Sequence, residues 1–346
     1  MCALFRKPAE LRFFTRCEMR LLMVLAVALS LLGPAPVTAQ ATVEQLWSEC
    51  AEGKPDPLGA LCADAALALQ ALHGGMGLQM TAGGALPASP STVGYRMEGS
   101  PRIVIDVGGT WATFRHPDLS SSGVQSTISD RRSLLVGARL TTVVGVFDGF
   151  SPLPALGGIL AVDAVGTLQL VRAPASPGLL RSAIGWGGGI RVGVLRESFL
   201  LPGVTVSGLY HGASELQFGT IEETGALAVL EPAMTSARVI VGKDLWPLGL
   251  SAGVGWDWYR GKGRIEARLS SLSEPGPINA ISGLRPLSMN RRYLFGGANF
   301  TWVITQIAAE VTWAREGSPI ADLEGTGPFR PGGTELQGAL TFRVIY

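Results

Sequence analysis

The chain has 346 residues, of which 47% are hydrophobic and 16% charged, with a formal net charge of +1. A charge so near zero, with no block of Lys or Arg, excludes a polyanion-binding surface, so nucleic acid is not an expected partner. Beyond the N-terminus no run of about 18 apolar residues is available for a spanning helix, and the 46 glycines follow no collagen-like period; so much apolar content without a helical span points to strands.

In chain order, Arg20 is followed by an apolar core from Leu21 to Leu32, then by Gly33-Pro34 and a small-residue stretch ending near Ala39. A charged start, apolar middle and small-residue end make a secretory signal peptide. Residues 1–40 are assigned to it, with Met19 as the expected start and cleavage between Ala39 and Ala41. Cys2 and Cys17 then leave with it. The mature chain keeps Cys50 and Cys62, and an even pair in an exported chain reads as one disulfide.

Residues 41–74 differ from everything downstream. Val43, Leu46 and Trp47, then Leu58, Leu61, Ala65, Leu67, Ala68 and Leu72, recur at helical spacing on either side of Pro55 and Pro57. They predict two short helices joined by a turn and stapled by the cysteines, a periplasmic element at the mouth of the following domain or inside it.

From Arg102 the apolar period changes from 3.6 to 2 and persists to the end. Leu336, Gly338, Leu340, Phe342, Val344 and Tyr346 share one face, and Gln337, Ala339, Thr341 and Arg343 the other. The same division recurs at 103–111, 134–146, 160–170, 184–194, 249–259 and 306–313. Soluble sandwiches also alternate. Strands of about 11 residues, however, suit a tilted membrane span, and Trp256, Trp258, Tyr259, Trp302, Trp313 and Tyr346 fall near strand ends, as in interfacial girdles. Counting back from the C-terminus, long connections (316–333, 272–290, 220–232, 117–132) mostly alternate with short ones (Val303 to Gln306, Trp246 to Gly249), the parity of outer loops and periplasmic turns. Ten strands follow from Arg102, and a hairpin of Gly77 to Ala82 with Thr92 to Met97 would make twelve. At Arg260-Gly-Lys-Gly263 the pattern flips, by a bulge where the strand leaves the membrane or by an added hairpin.

The signal peptide, the amphipathic strands and the last strand Leu340-Thr-Phe-Arg-Val-Ile-Tyr346 together resemble bacterial outer-membrane β-barrel proteins, over residues 75–346. The resemblance implies an all-β fold, a closed antiparallel transmembrane barrel of about 10–12 strands preceded by a short helical periplasmic segment, located in the bacterial outer membrane. It also implies two partners: outer-membrane lipid, and the assembly machinery that reads a terminal aromatic, with Phe342 and Tyr346 as the signal. Phe is the commoner terminal residue; Tyr346 is a variant.

Outer-membrane enzymes of this kind use His with Ser or Asp. His116, Asp118 and Ser120 to Ser122 lie close in sequence, as do His211, Ser214 and Glu215, while His73 ends the helical segment; residues adjacent in a loop make a poor rigid site. Gly185 to Gly193 lacks the Lys and strand-to-helix setting of a phosphate loop, and reads as a strand that lets another segment approach closely. No metal spacing or cofactor motif appears, and no enzyme is expected. The informative set is the charges assigned to the lumen: Asp106, Arg139, Asp163, Arg191, Arg238, Asp257, Glu310 and Arg343. Each must be paired or wet. Two functions follow: a small-solute channel or transporter with a polar, mixed-charge lumen, or a sealed structural or adhesive barrel acting through its outer loops.

Overall fold

A computed structural model describes residues 39–95, 99–117, 130–150, 159–172, 182–198, 201–269, 277–314 and 335–345. The expected signal peptide up to residue 38, the loop 316–333, most of the loop 117–132 and Tyr346 fall outside these residues.

Among the described residues two helices come first, α1 (Ala39–Ala51) and α2 (Asp56–Thr81), and thirteen strands follow. Ten strands close into an antiparallel barrel: β1 (Ile103–Pro117), β2 (Asp130–Phe147), β3 (Ala161–Arg172), β4 (Ala183–Leu195), β5 (Gly203–Ala213), β8 (Ala233–Leu245), β9 (Leu248–Leu269), β11 (Arg285–Trp302), β12 (Thr305–Ala314) and β13 (Glu335–Ile345). Pairing of β13 with β1 and of β9 with β11 leaves the ring without an edge, the condition for crossing a bilayer with strands. Beyond the end of β5, β6 (Leu216–Phe218) forms a hairpin with β7 (Ala226–Glu231) that pairs with the far end of β9, and β10 (Ile278–Ile281) pairs with β9 there too.

The outer face is apolar. Leu140, Leu168, Leu170, Ile184, Ile190, Leu250, Leu294 and Leu340 are all exposed there, which only lipid makes favourable over a band this continuous. Trp246 and Trp302 stand 79% and 71% exposed at the short-turn end. Tyr259 does not join a girdle: it is fully buried and faces inward, because its parity is that of Asp257.

The flip at residue 260 is resolved without a bulge or an added hairpin. Strand β9 keeps one uninterrupted in-out alternation over 22 residues. What changes is the surroundings. Trp256 and Trp258 face outward toward lipid, whereas Arg260, Lys262 and Arg264 face outward toward water, and Ile265 and Ala267 turn inward onto helix α2. The barrel wall therefore continues beyond the membrane as a sleeve.

Helix α2 runs down that sleeve. Leu61 lies by Gly225, Leu69 by Gly263, His73 by Gly261 and Gly77 by Tyr259, so the helix descends β9 as its own numbering rises. It is buried from Ala65 to Thr81 and apolar on every side apart from Gln70, His73, Gln79 and Thr81, as suits a helix enclosed all round. Predicted to end near residue 74, it continues through Gly74, Gly75 and Gly77. These glycines are weak helix formers, but a Cβ on them would meet Met289, Phe114 and Tyr259 at 2.8, 2.6 and 2.6 Å; packing overrides propensity. The hairpin expected from 77–82 and 92–97 does not form, since Gly77 to Thr81 are the last turn of this helix.

Gly77→Leu is expected to destabilise the folded barrel by about 1–3 kcal/mol, the range for overpacking. Gly59→Ala, where the nearest atom is Ala51 Cβ at 3.8 Å, should be neutral or stabilising by up to about 1 kcal/mol. Urea midpoints of the refolded variants check both.

Candidate functional site: the lumen and its strap

After Thr81 the chain leaves helical geometry, and from Ala82 to Tyr95 it crosses the rest of the lumen as an irregular strap. A strap has no internal hydrogen-bond ladder, so its carbonyls need donors from the wall. Nearly all of those between Met80 and Ser91 receive one. Gln169 Nε2 donates to the Met80 carbonyl at 3.2 Å, and Arg238 Nη2 to Thr81 at 2.8 Å. Arg139 donates to the carbonyls of Ala82 and Gly84, and at 3.3 Å to that of Ala85. Arg343 Nη2 reaches Pro87 at 2.8 Å, and Asn299 Nδ2 reaches Ala88 at 2.9 Å. Arg191 Nη2 bridges Ser89 and Ser91, both at 2.9 Å, and Thr205 Oγ1 donates to Pro90 at 2.5 Å.

Carboxylates take the amides lower down. Asp163 accepts the Val93 amide at 3.0 Å, and Asp148 the Tyr95 amide at 3.0 Å. Leu86 and Val93 supply the apolar part of the contact, in a cluster with Val104, Val143, Val165 and Leu209.

All eight charges assigned to the lumen from sequence point inward and are buried. Two ion pairs join residues in direct register on neighbouring strands: Arg343 with Asp106 at 3.1 Å, and Arg191 with Asp163 at 3.5 Å. Arg238 with Glu310, at 2.6 Å, instead reaches from β8 to β12 across the intervening strands. Asp257 accepts from Thr81 Oγ1, Tyr259 and Tyr293 at 2.9, 3.1 and 3.2 Å. Arg139 is the one of the four lumen arginines with no carboxylate within salt-bridge distance among the described residues, and it also makes the most strap contacts. The sequence assigned these eight to the lumen but gave no account of the strap, or of Asp148, Gln169, Thr205 and Asn299 that hold it. The available signal was the small-residue run from Ala82 to Ser91, interrupted only by Leu86.

Gly193 and Gly203 face the strap, where a Cβ would meet Thr92 Oγ1 at 2.9 Å and Ser91 Oγ at 2.7 Å. The glycine-rich strand β4 thus borders the passing segment.

The histidines, set aside in the sequence as a poor rigid site, lie in different surroundings. His116 Nε2 lies 2.6 Å from Ser133 Oγ, and its Nδ1 lies 2.7 Å from the Pro117 carbonyl; Asp118 and Ser120 to Ser122 fall outside the described residues. Ser214 bonds the Ile184 amide, while His211 is buried beside Gly187. No group of potential metal ligands occurs among the described residues.

Of the two places the sequence left open for the helical segment, the mouth of the barrel or its inside, the structure shows the inside: it occupies the lumen and the sleeve. Its start stands at the end of the barrel opposite the short turns at Trp246-Pro247 and Val303-Ile304, which in such barrels is the outer end. Cys50 and Cys62 form the disulfide expected there. At the same mouth Glu49 accepts from Arg285 Nε at 3.1 Å and from the Gly283 amide at 3.2 Å. The Arg285 hydrogen bond holds the Glu49 carboxyl below its ordinary value.

The architecture is that of a closed antiparallel β-barrel with an apolar outer face and a filled lumen. No protein-family profile matches the chain, and no characterised protein matches it in sequence. Solved structures similar to it include the outer membrane protease OmpT from Escherichia coli, at 11% identity over 75% of this chain and 100% of that one, with a TM-score of 0.33. The translocator domain of autotransporter NalP from Neisseria meningitidis aligns at 9% identity over 71% and 88%, TM-score 0.35. The attachment invasion locus protein Ail of Yersinia pestis aligns at 10% over 71% and 98%, TM-score 0.25.

Arg139→Met leaves up to three strap carbonyls without their donor, at about 1–3 kcal/mol each. Amide hydrogen exchange from residue 82 to 95 should accelerate while β1 and β2 keep their protection; uniform acceleration would instead mean the whole barrel had loosened. The Glu49 contact is present above the ordinary carboxylate pKa and lost as pH falls through its depressed folded value. Glu49→Gln should therefore flatten the acid limb of thermal stability between about pH 5 and 3.

Proposed function

We propose that this protein is a self-sealed outer-membrane barrel whose work is done at its outer end, rather than an open small-solute channel. The observation that carries the reading is the strap. From Met80 to Tyr95 its main chain is fastened to inward-facing side chains of most barrel strands, and seven of the eight lumen charges are spent on that strap and on one another, while Asp257 accepts from Thr81, Tyr259 and Tyr293. An open pore would leave such groups facing water. Above the membrane the same lumen is filled by α2 and the apolar cluster around Leu67, Leu72, Phe114, Tyr259 and Ile265. The reading assigns no catalytic step.

Planar-bilayer recording tests it. The refolded full-length protein should be silent, and a form starting at residue 99 should conduct in steps, with circular dichroism and heat-dependent migration verifying that it is folded. Removing residues 40–74 alone should leave the barrel silent, because the strap remains in place. Steady conductance from the intact protein would restore the channel reading.

A further inference from the structure

Resting on the reading that the strap occupies the lumen, we infer that the barrel carries its own N-terminal polypeptide across the outer membrane, its wall serving as a track for extended main chain, and displays the α1–α2 hairpin on the outer face. The direction follows from the contacts. The strap ends at the short-turn end, where Tyr95 bridges to Pro101 just ahead of β1 and its hydroxyl bonds the Val146 carbonyl of β2 at 2.5 Å. Fourteen positions earlier, Thr81 bonds Asp257 at mid-wall. Earlier still, Leu61 lies beside Gly225 in the sleeve, and Glu49 pairs with Arg285 at the far mouth. A barrel inserted from the periplasm reaches this arrangement only if the described chain before residue 80 passes the plane of the membrane.

The chemistry of the wall fits a polypeptide. Its guanidiniums donate to carbonyls and its carboxylates accept amides, groups that every residue except proline carries alike. The strap side chains are mostly Gly, Ala, Ser or Pro and make few of the polar contacts. A wall that reads main chain is indifferent to the sequence passing along it.

The turn between the helices offers a probe site: Glu52, Gly53 and Lys54 are exposed, and a Cβ on Gly53 would meet nothing within 4 Å. An epitope inserted after Gly53 in the full chain, with a control epitope after Val303 in a short turn, is to be read by antibody on intact and on permeabilised cells. The expected result is equal labelling at Gly53 in both, with Val303 visible only after permeabilisation. An unstructured Gly/Ser-rich insert of several tens of residues at Gly53 should also appear outside. Lys54→Cys read with an impermeant maleimide gives the same answer with a minimal change, since Cys50 and Cys62 are bonded to each other. Labelling at residue 53 or 54 that requires permeabilisation overturns the inference, and so does a long insert that is retained inside. Either result is separable from the sealing question, which conductance decides.

Discussion

Every main-chain polar group at membrane depth needs a partner within the protein, because lipid offers none. Three solutions to this constraint lie side by side here. The strands satisfy one another around a closed ring, and helix α2 satisfies itself. The strap from Ala82 to Tyr95 can do neither, so the lumen wall supplies donors and acceptors in its place. The division of the interior follows. Where the helix passes, the wall is apolar, with Phe114, Leu287 and Ile265; where the strap passes, it carries Arg139, Arg191, Arg343 and Asp163.

This accounts for buried charges that would otherwise be hard to justify. Replacing a buried ion pair by apolar residues is often neutral or stabilising, so such a pair is weak evidence of stability by itself. Here Arg191, Arg238 and Arg343 each have more donors than their carboxylate partner can use, and part of the surplus goes to main-chain carbonyls between Thr81 and Ser91. A lysine would serve poorly in that role, since it lacks the planar fork that divides itself between a carboxylate and a peptide oxygen. Holding a segment with no regular structure is a use for charge that hydrophobic packing cannot replace.

The continuity of β9 shows how one backbone geometry serves two solvents. Below Tyr259 its outward side chains meet lipid and its inward ones a polar lumen; above it the outward ones meet water and the inward ones an apolar helix. The in-out alternation persists while the chemistry on both faces inverts.

Much of the barrel was legible in the sequence, since period-2 alternation is a local property. The inward parity of Asp106, Arg139, Asp163, Arg191, Arg238, Asp257, Glu310 and Arg343 follows from the pleat alone, as does the lipid-facing parity of Leu340 and Phe342. The tertiary structure decided what those charges hold. Asp106 meets Arg343 because closure brings the first strand beside the last, and Glu310 meets Arg238 because the lumen is narrow enough to reach across. Tyr259 was misread because a residue near a strand end looks the same whether it anchors in an interface or packs on a helix. Gly77 to Thr81 and Thr92 to Tyr95 were misread because a segment threaded through a barrel owes its conformation to the wall around it, and no local pattern records a wall built from residues scattered between positions 104 and 343.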